Sequence, residues 1–221
     1  MELLVVLAIA AILTAIAVPN VISITKALRI SGDLRDLNGA VGQAKMQAGA
    51  DFTHARARAN LLTNTFQVEI WNKTVVPGGC WQTVGDTDAG GNPRCTIAGT
   101  TRVQALSQGV TFGTDQVAAA PANTQTAFGQ AAPCSNVPAG VGAPGGTIAN
   151  TACIEFNSRG VPIDARPATW GAPYGDGAFY INNRTVASAG TMVYAVTVAP
   201  TGYALNWSVA DASGNANWKH Q

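Results

Sequence analysis

Met1-Glu-Leu-Leu-Val-Val-Leu-Ala-Ile-Ala-Ala-Ile-Leu-Thr-Ala-Ile-Ala-Val-Pro19-Asn20 opens the chain, and its reading decides the architecture. One carboxylate, Glu2, stands at the head of an apolar run that a proline, Pro19, interrupts near its end. From Leu3 to Val18 there is no charge and the only hydroxyl is Thr14; Val21 and Ile22 resume the apolar character before Lys26. A helix from Leu3 to Ile24 is roughly 33 Å long, enough to cross a bilayer core. The apolar side chains of such a span include Leu3, Leu4, Val5, Val6, Leu7, Ile9, Ile12, Leu13, Ile16 and Val18. A lone carboxylate entering lipid costs a few kcal/mol unless something neutralises it, so Glu2 asks for a partner. A secretory signal peptide would carry a basic head and a shorter apolar region. An ordinary single-span anchor has no use for a Glu at its head, and a helix buried in a soluble core rarely stays apolar on every face for so long.

These residues, Glu2-Leu-Leu-Val-Val-Leu-Ala-Ile-Ala-Ala-Ile-Leu followed by Ala-Ile-Ala-Val-Pro19, resemble the N-terminal helix of type IV pilins and type II secretion pseudopilins. In that family a short basic leader is cut after Gly, the new N-terminal Phe is methylated, and a Glu four residues further on pairs with the N-terminal amine of a neighbouring subunit. The resemblance places Glu2 in that role and Pro19 at the helix-breaking proline. It implies a pilin fold, α+β, with a long N-terminal transmembrane helix packed on an antiparallel β-sheet head. The partners it implies are other pilin or pseudopilin subunits, an inner-membrane assembly platform and a prepilin peptidase. The sequence departs from the pattern by starting at Met1: leader, Gly-Phe cleavage site and first mature residues are not in it, which implies an internal start or a truncated chain that the peptidase would not process as written.

Composition bounds the rest. The 221 residues carry only 11% charged side chains and a net charge of +1, so no long-range field pulls the chain toward nucleic acid or acidic substrates. The length divides naturally into residues 1–24 as membrane helix, 25–60 as its amphipathic continuation and 61–221 as a β-rich head, large enough to bury a core. Cys80, Cys95, Cys134 and Cys153 all lie beyond the apolar segment. Their spacings are not those of a zinc site and no His lies near them, so two disulfides in an oxidising compartment are expected, with Cys80–Cys95 and Cys134–Cys153 preferred among three pairings.

After Pro19 the helix is expected to continue to about Ala59, because Ile30, Leu34, Leu37, Val41, Ala44, Ala48, Phe52, Ala55 and Ala59 recur at three- and four-residue intervals. Gly32, Gly39, Gly42 and Gly49 each weaken it by about 1 kcal/mol relative to Ala; they mark either sites of bending and unwinding or sites of close packing. From Thr65 the period becomes two: Phe66, Val68 and Ile70 alternate with Gln67, Glu69 and Trp71. Similar strand patterns occur at 102–106, 153–156, 178–182, 192–198 and 203–209, the last two flanking a Pro-Gly turn. Residues 118–146, rich in Ala, Pro, Gly and Asn, read as a long surface loop.

The second half is similar to the GspH/FimT class of minor pilins. The matching features are the strand Phe-Gln-Val-Glu-Ile-Trp71, Cys80-Trp81, Phe156 followed by Gly160, and the closing hairpin through Gly202. Some members of that class bind DNA through a Gly-Arg-x-Arg motif in the last hairpin; the matching place here reads Gly202-Tyr203-Ala204-Leu205, without the guanidinium groups that engage phosphate. Arg56, Arg58 and Arg102 offer a small basic patch, although Arg56 and Arg58 more often mark the solvated face at a helix end. His54 and His220 are too few for a metal cluster or a Ser/His/Asp constellation, and Asp86 to Asn92 lacks the closing Glu of a calcium loop. Neither a cofactor nor an enzyme is expected. The expected function is a structural minor pilin or pseudopilin, held in the bacterial inner membrane by one pass with its head in the periplasm or outside the cell, that assembles into or primes a type IV pilus or type II secretion pseudopilus. The rivals are a DNA- or surface-ligand-binding tip pilin, an uncleaved membrane-anchored binding protein, and a tethered hydrolase for which no nucleophile arrangement is present.

Overall fold

The computed structural model describes residues 2–74, 78–87, 90–91, 93–95, 102–115, 117–141, 145–183, 192–209 and 217–221. The side chains of residues 2–11, 13, 16, 19, 20, 23, 93 and 94 lie outside that description.

One helix, α1, runs from Glu2 to Ala50. Ile30, Leu34, Leu37, Val41, Ala44 and Ala48 form its buried stripe, as the three- and four-residue spacing requires. The helix continues through Pro19 without interruption, although a proline cannot donate to the carbonyl four residues back. It also continues through all four glycines. A Cβ built on Gly32, Gly39, Gly42 or Gly49 would meet nothing within 4 Å, so close packing inside this chain is not what keeps them small. Replacing Gly39 or Gly42 with Ala is expected to raise head stability by about 0.5–1 kcal/mol each, read as a higher urea midpoint; a loss of stability would show that the helix is bent there.

α1 ends at Ala50 and not near Ala59. Asp51 N donates to Gln47 O at 3.0 Å and Thr53 N to Ala48 O at 3.2 Å, and Phe52 turns the chain with φ +48°. Phe52, which helical spacing assigned to the buried stripe, is 79% exposed. Beyond it Ala55–Asn60 forms strand β1. Within it Ala55, Ala57 and Ala59 point one way and Arg56, Arg58 and Asn60 the other, a two-residue alternation whose alanines also happen to fit a helical period.

Among the described residues the remaining strands form two antiparallel sheets. The first joins β1 to β2 (Thr65–Asn72), β3 (Cys80–Thr87), β4 (Pro93–Cys95), β5 (Gln104–Ala105), β7 (Thr151–Phe156) and β8 (Pro162–Ile163), in the order β4-β3-β2-β1-β7-β8 with β5 also on β2. The second joins β6 (Thr111–Phe112), β9 (Ala178–Asn182), β10 (Val193–Val198), β11 (Ala204–Val209) and β12 (Lys219–His220), in the order β12-β11-β10-β9-β6. The expected hairpin is β10 and β11, in register from Val193↔Val209 to Val198↔Ala204. At its turn Gly202 has φ +74°, and a Cβ there would lie 2.8 Å from the Gly160 carbonyl oxygen; only glycine fits. Lys45 Nζ donates to the carbonyls of Thr201 and Gly202 at 3.2 Å each, tying this turn to the end of α1.

Both sheets share one core with α1. Phe66, Val68, Ile154 and Phe156 of the first and Phe179, Ile181, Tyr194, Val196 and Val198 of the second meet the helix stripe. The alanines of β1 let the helix lie close to the sheet at that strand. The opposite face of the second sheet is buried too: Ala178, Tyr180, Val193 and Ala195 pack with Val117, with Phe128 from the long segment and with Trp218 near the C-terminus. Residues 118–146 are therefore more than a surface loop, since Ala131, Cys134, Ser135 and Ala139 are buried. The disulfides are Cys80–Cys95, which joins β3 to β4, and Cys134–Cys153, which staples the long segment to β7. Loops of 15 and 19 residues each stabilise the fold by about 3 kcal/mol, mainly by restricting the unfolded chain.

Candidate assembly surface

Packing of α1 against the head begins at Ile30. The preceding part, residues 2–29, is about 42 Å long at 1.5 Å per residue, and its large described apolar side chains have nothing over them. Ile12, Val18, Val21, Ile22 and Ile24 are exposed, and Leu28 is 68% exposed. Scattered apolar residues on a surface need no account, whereas a contiguous series along one helix marks a surface that something else covers. Glu2 is the first residue of α1, and its side chain, like those of Leu3 to Ile9 and of Pro19, lies outside the described residues. Among the described residues no helix is long and apolar enough to cross a membrane; that statement does not reach the first ten positions of the expected span.

The three arginines read from the sequence do not form one patch. Arg56 and Arg58 are on β1, not at a helix end, and Arg56 is 1% exposed. The antiparallel registers Arg56↔Glu69 and Arg56↔Glu155 set its guanidinium between two carboxylates in a row across β2, β1 and β7. Its Nε and Nη2 both approach Glu69 Oε2 at 2.5 Å, and its Nη1 donates to the Ser135 carbonyl at 2.5 Å. The same guanidinium lies 3.9 Å from the centre of the Trp81 ring, a cation–π contact. Arg58 Nη1 reaches Glu69 Oε1 at 3.0 Å, and Gln67 Nε2 donates to the same oxygen at 2.5 Å. Burial raises the pKa of Glu69, and the charges of Arg56 and Arg58 with these hydrogen bonds more than reverse it, leaving it below the ordinary carboxylate value.

Glu155 completes the row. Its Oε1 accepts from Ala139 N at 2.8 Å and lies 3.2 Å from His54 Nδ1; its Oε2 has no hydrogen-bond partner among the described residues. His54 therefore belongs to the entry of β1 and not to the helix. Sequence reading of β2 assigned Gln67, Glu69 and Trp71 to a second face without seeing that this face is buried. The signal was present in the matching charges of 54–58, 67–69 and 155, but only strand pairing shows which charges meet.

Arg102 is elsewhere. It is exposed and lines a groove of about 560 Å³ with Arg35, Asp36 and Gln43 of α1, Thr83 of β3 and Gln104 of β5. Tyr203, which follows Gly202 at the turn of the closing hairpin, is exposed. Asp86 is buried within β3, while Asp88, Ala89 and Asn92 of the same segment lie outside the described residues. Among the described residues no group of three or more His, Cys, Asp or Glu could hold a metal ion. His220, in β12, stacks edge-on against Trp207 with ring centres 5.3 Å apart.

No protein-family model matches this chain, and no characterised protein or solved structure matches it.

Proposed function

We propose that this chain is a structural subunit of a pilin-like filament, of the minor pilin or pseudopilin kind, that assembles into or primes a type IV pilus or type II secretion pseudopilus. The observation that carries the reading is the uncovered apolar helix ahead of Ile30, continuous with the second half of the same helix, which the head uses as its core. Such a helix needs a cover. In the proposed cycle lipid covers it before assembly, and the corresponding helices of other subunits cover it afterwards. The resemblance at Glu2 to Pro19 supports the same reading, and the two disulfides suit a head outside the cytoplasm. Arg56 and Arg58 are committed to Glu69, which removes the basic patch that a DNA-binding tip would need. The groove beside Arg102 supports a second reading, an anchored head that binds a small polar ligand.

Val21→Asp and Leu28→Asp test the assembly role, because both positions are exposed in the single subunit. Each is expected to change head stability by less than about 0.5 kcal/mol, whereas burying an unpaired carboxylate in a helical bundle costs several kcal/mol. The variants should accumulate as folded, disulfide-bonded protein and be missing from sheared filaments. Incorporation at the wild-type level would remove the helix from the assembly surface and leave the anchored binding head as the better account.

A further inference from the structure

The first charges after the apolar stretch are Lys26 and Arg29, one helical turn apart on α1. Positions three residues apart share a helix face. Both side chains are exposed and line a cavity of about 210 Å³ whose other wall is Gln108, Gly109, Val110 and Asn183. That wall is held in place. Asp33, one turn beyond Arg29, accepts Ser107 N at 3.0 Å and Ser107 Oγ at 2.8 Å, and Val110 N closes the turn onto Ser107 O at 2.9 Å. Because Asp33 is buried and engaged by Ser107, it is not spent on Arg29 four residues earlier. Among the described residues no carboxylate lines the cavity and neither Lys26 nor Arg29 is ion-paired. The side-chain carbonyl of Asn183 accepts Met192 N at 3.0 Å, and Asn183 and Gln108 bring amide groups to the same lining. The lining thus offers two cations and amide donors to a small anion.

We infer that this cavity is a seat for the phosphate of an anionic phospholipid headgroup. The inference rests on the membrane-held state of α1 proposed above. Its position along the helix selects a lipid over free phosphate. If the hydrocarbon ends at Ile24, Lys26 lies about 3 Å and Arg29 about 7.5 Å further along the axis, so the pair spans the headgroup layer of about 5–7.5 Å on each side of a bilayer. The head then meets the membrane through Gln108 and Gly109, and the seat sets its height and rotation before assembly. Extraction into a filament exchanges the phosphate for another anion or leaves the two cations to water, so the seat also makes the membrane-held state depend on lipid composition.

The test is flotation of the full chain with vesicles of phosphatidylcholine alone and of phosphatidylcholine mixed with phosphatidylglycerol. Wild type should float with both and prefer the anionic vesicles, and Lys26→Gln/Arg29→Gln should reduce that preference by about 25-fold, about fivefold for each cation, while still floating with phosphatidylcholine. Gln108→Glu, which sets a carboxylate in the wall, should also reduce it. Arg159→Glu, beside Gly160 at the far end of the head and with the same change in net charge as Gln108→Glu plus one further unit, should not. An unchanged preference in the double variant, or an equal loss in Arg159→Glu, overturns the seat and leaves the anchor intact. Loss of the preference on adding inorganic phosphate at constant ionic strength overturns the choice of lipid over free phosphate. Failure of wild type to float with either vesicle overturns the membrane-held state itself.

Discussion

Replacing Arg56 with alanine is expected to cost the head about 3–5 kcal/mol, a large share of the 5–15 kcal/mol that holds a typical domain. The side chain removed is 1% exposed, and the carboxylate it leaves behind, Glu69, is fully buried. Arg58 alone then faces Glu69, at 3.0 Å and from a partly exposed position. The Ser135 carbonyl loses its donor, and space opens over the Trp81 ring. Arg58→Ala, by contrast, removes the outer and better solvated partner and should cost about 1 kcal/mol. Urea unfolding of both variants checks this, and equal costs would show that Arg56 is a passenger in the row. The row also sets the acid limit of the fold. Because the folded pKa of Glu69 is depressed below the ordinary 4.5, its contribution is fully present above that value and is lost as the pH falls through the lower folded value. Glu69→Gln should therefore be less stable at neutral pH and lose less on acidification than wild type.

Glu2→Gln is expected to leave membrane insertion intact and to abolish incorporation into the filament. The substitution keeps size and polarity while removing the charge. Insertion depends on the apolar run that follows, and a neutral amide at its head is cheaper to place near lipid than a carboxylate. Incorporation, in the proposed mechanism, depends on the carboxylate meeting the amine of a neighbouring subunit, which favours the correct stagger and penalises a subunit that lacks it. The measurements are the fraction of each variant in membranes and in sheared filaments, in cells that also carry wild-type major subunits. Wild-type incorporation of Glu2→Gln would remove that residue from the mechanism, while loss of Glu2→Gln from membranes as well would show that the carboxylate acts earlier, in insertion or processing.

How far the sequence could be read depended on whether neighbouring residues or distant ones set the outcome. The helix stripe Ile30 to Ala48 and the strands at 65–72, 178–182, 193–198 and 204–209 were legible because each carries its own period, and each is built from local hydrogen bonds and one apolar face. Segment 55–60 was misread because alanines at 55 and 59 satisfy a four-residue spacing and a two-residue one alike. What separates them is Phe52 leaving the helix at φ +48° and the pairing of β1 with β2 and β7, and neither is visible in one segment. The candidate surface divides in the same way. Its apolar run is legible residue by residue, whereas the seat around Lys26 and Arg29 needs Gln108 and Asn183, which the fold brings from far along the chain.

By itself, then, the sequence determined that an apolar stretch precedes a β-rich head and which four cysteines are available to staple it. Periodicity, apolar runs and thiol chemistry act over a few residues, so they can be read in order. Only the tertiary structure decided that two sheets share the second half of one helix, that Arg56 is enclosed between Glu69 and Glu155, and that Phe128, Ser135 and Ala139 lie over the outer faces of the sheets. Those outcomes depend on strand register, in which a shift of one residue moves every side chain to the opposite face. Register is set by the sum of all the pairings and not by any one stretch of chain.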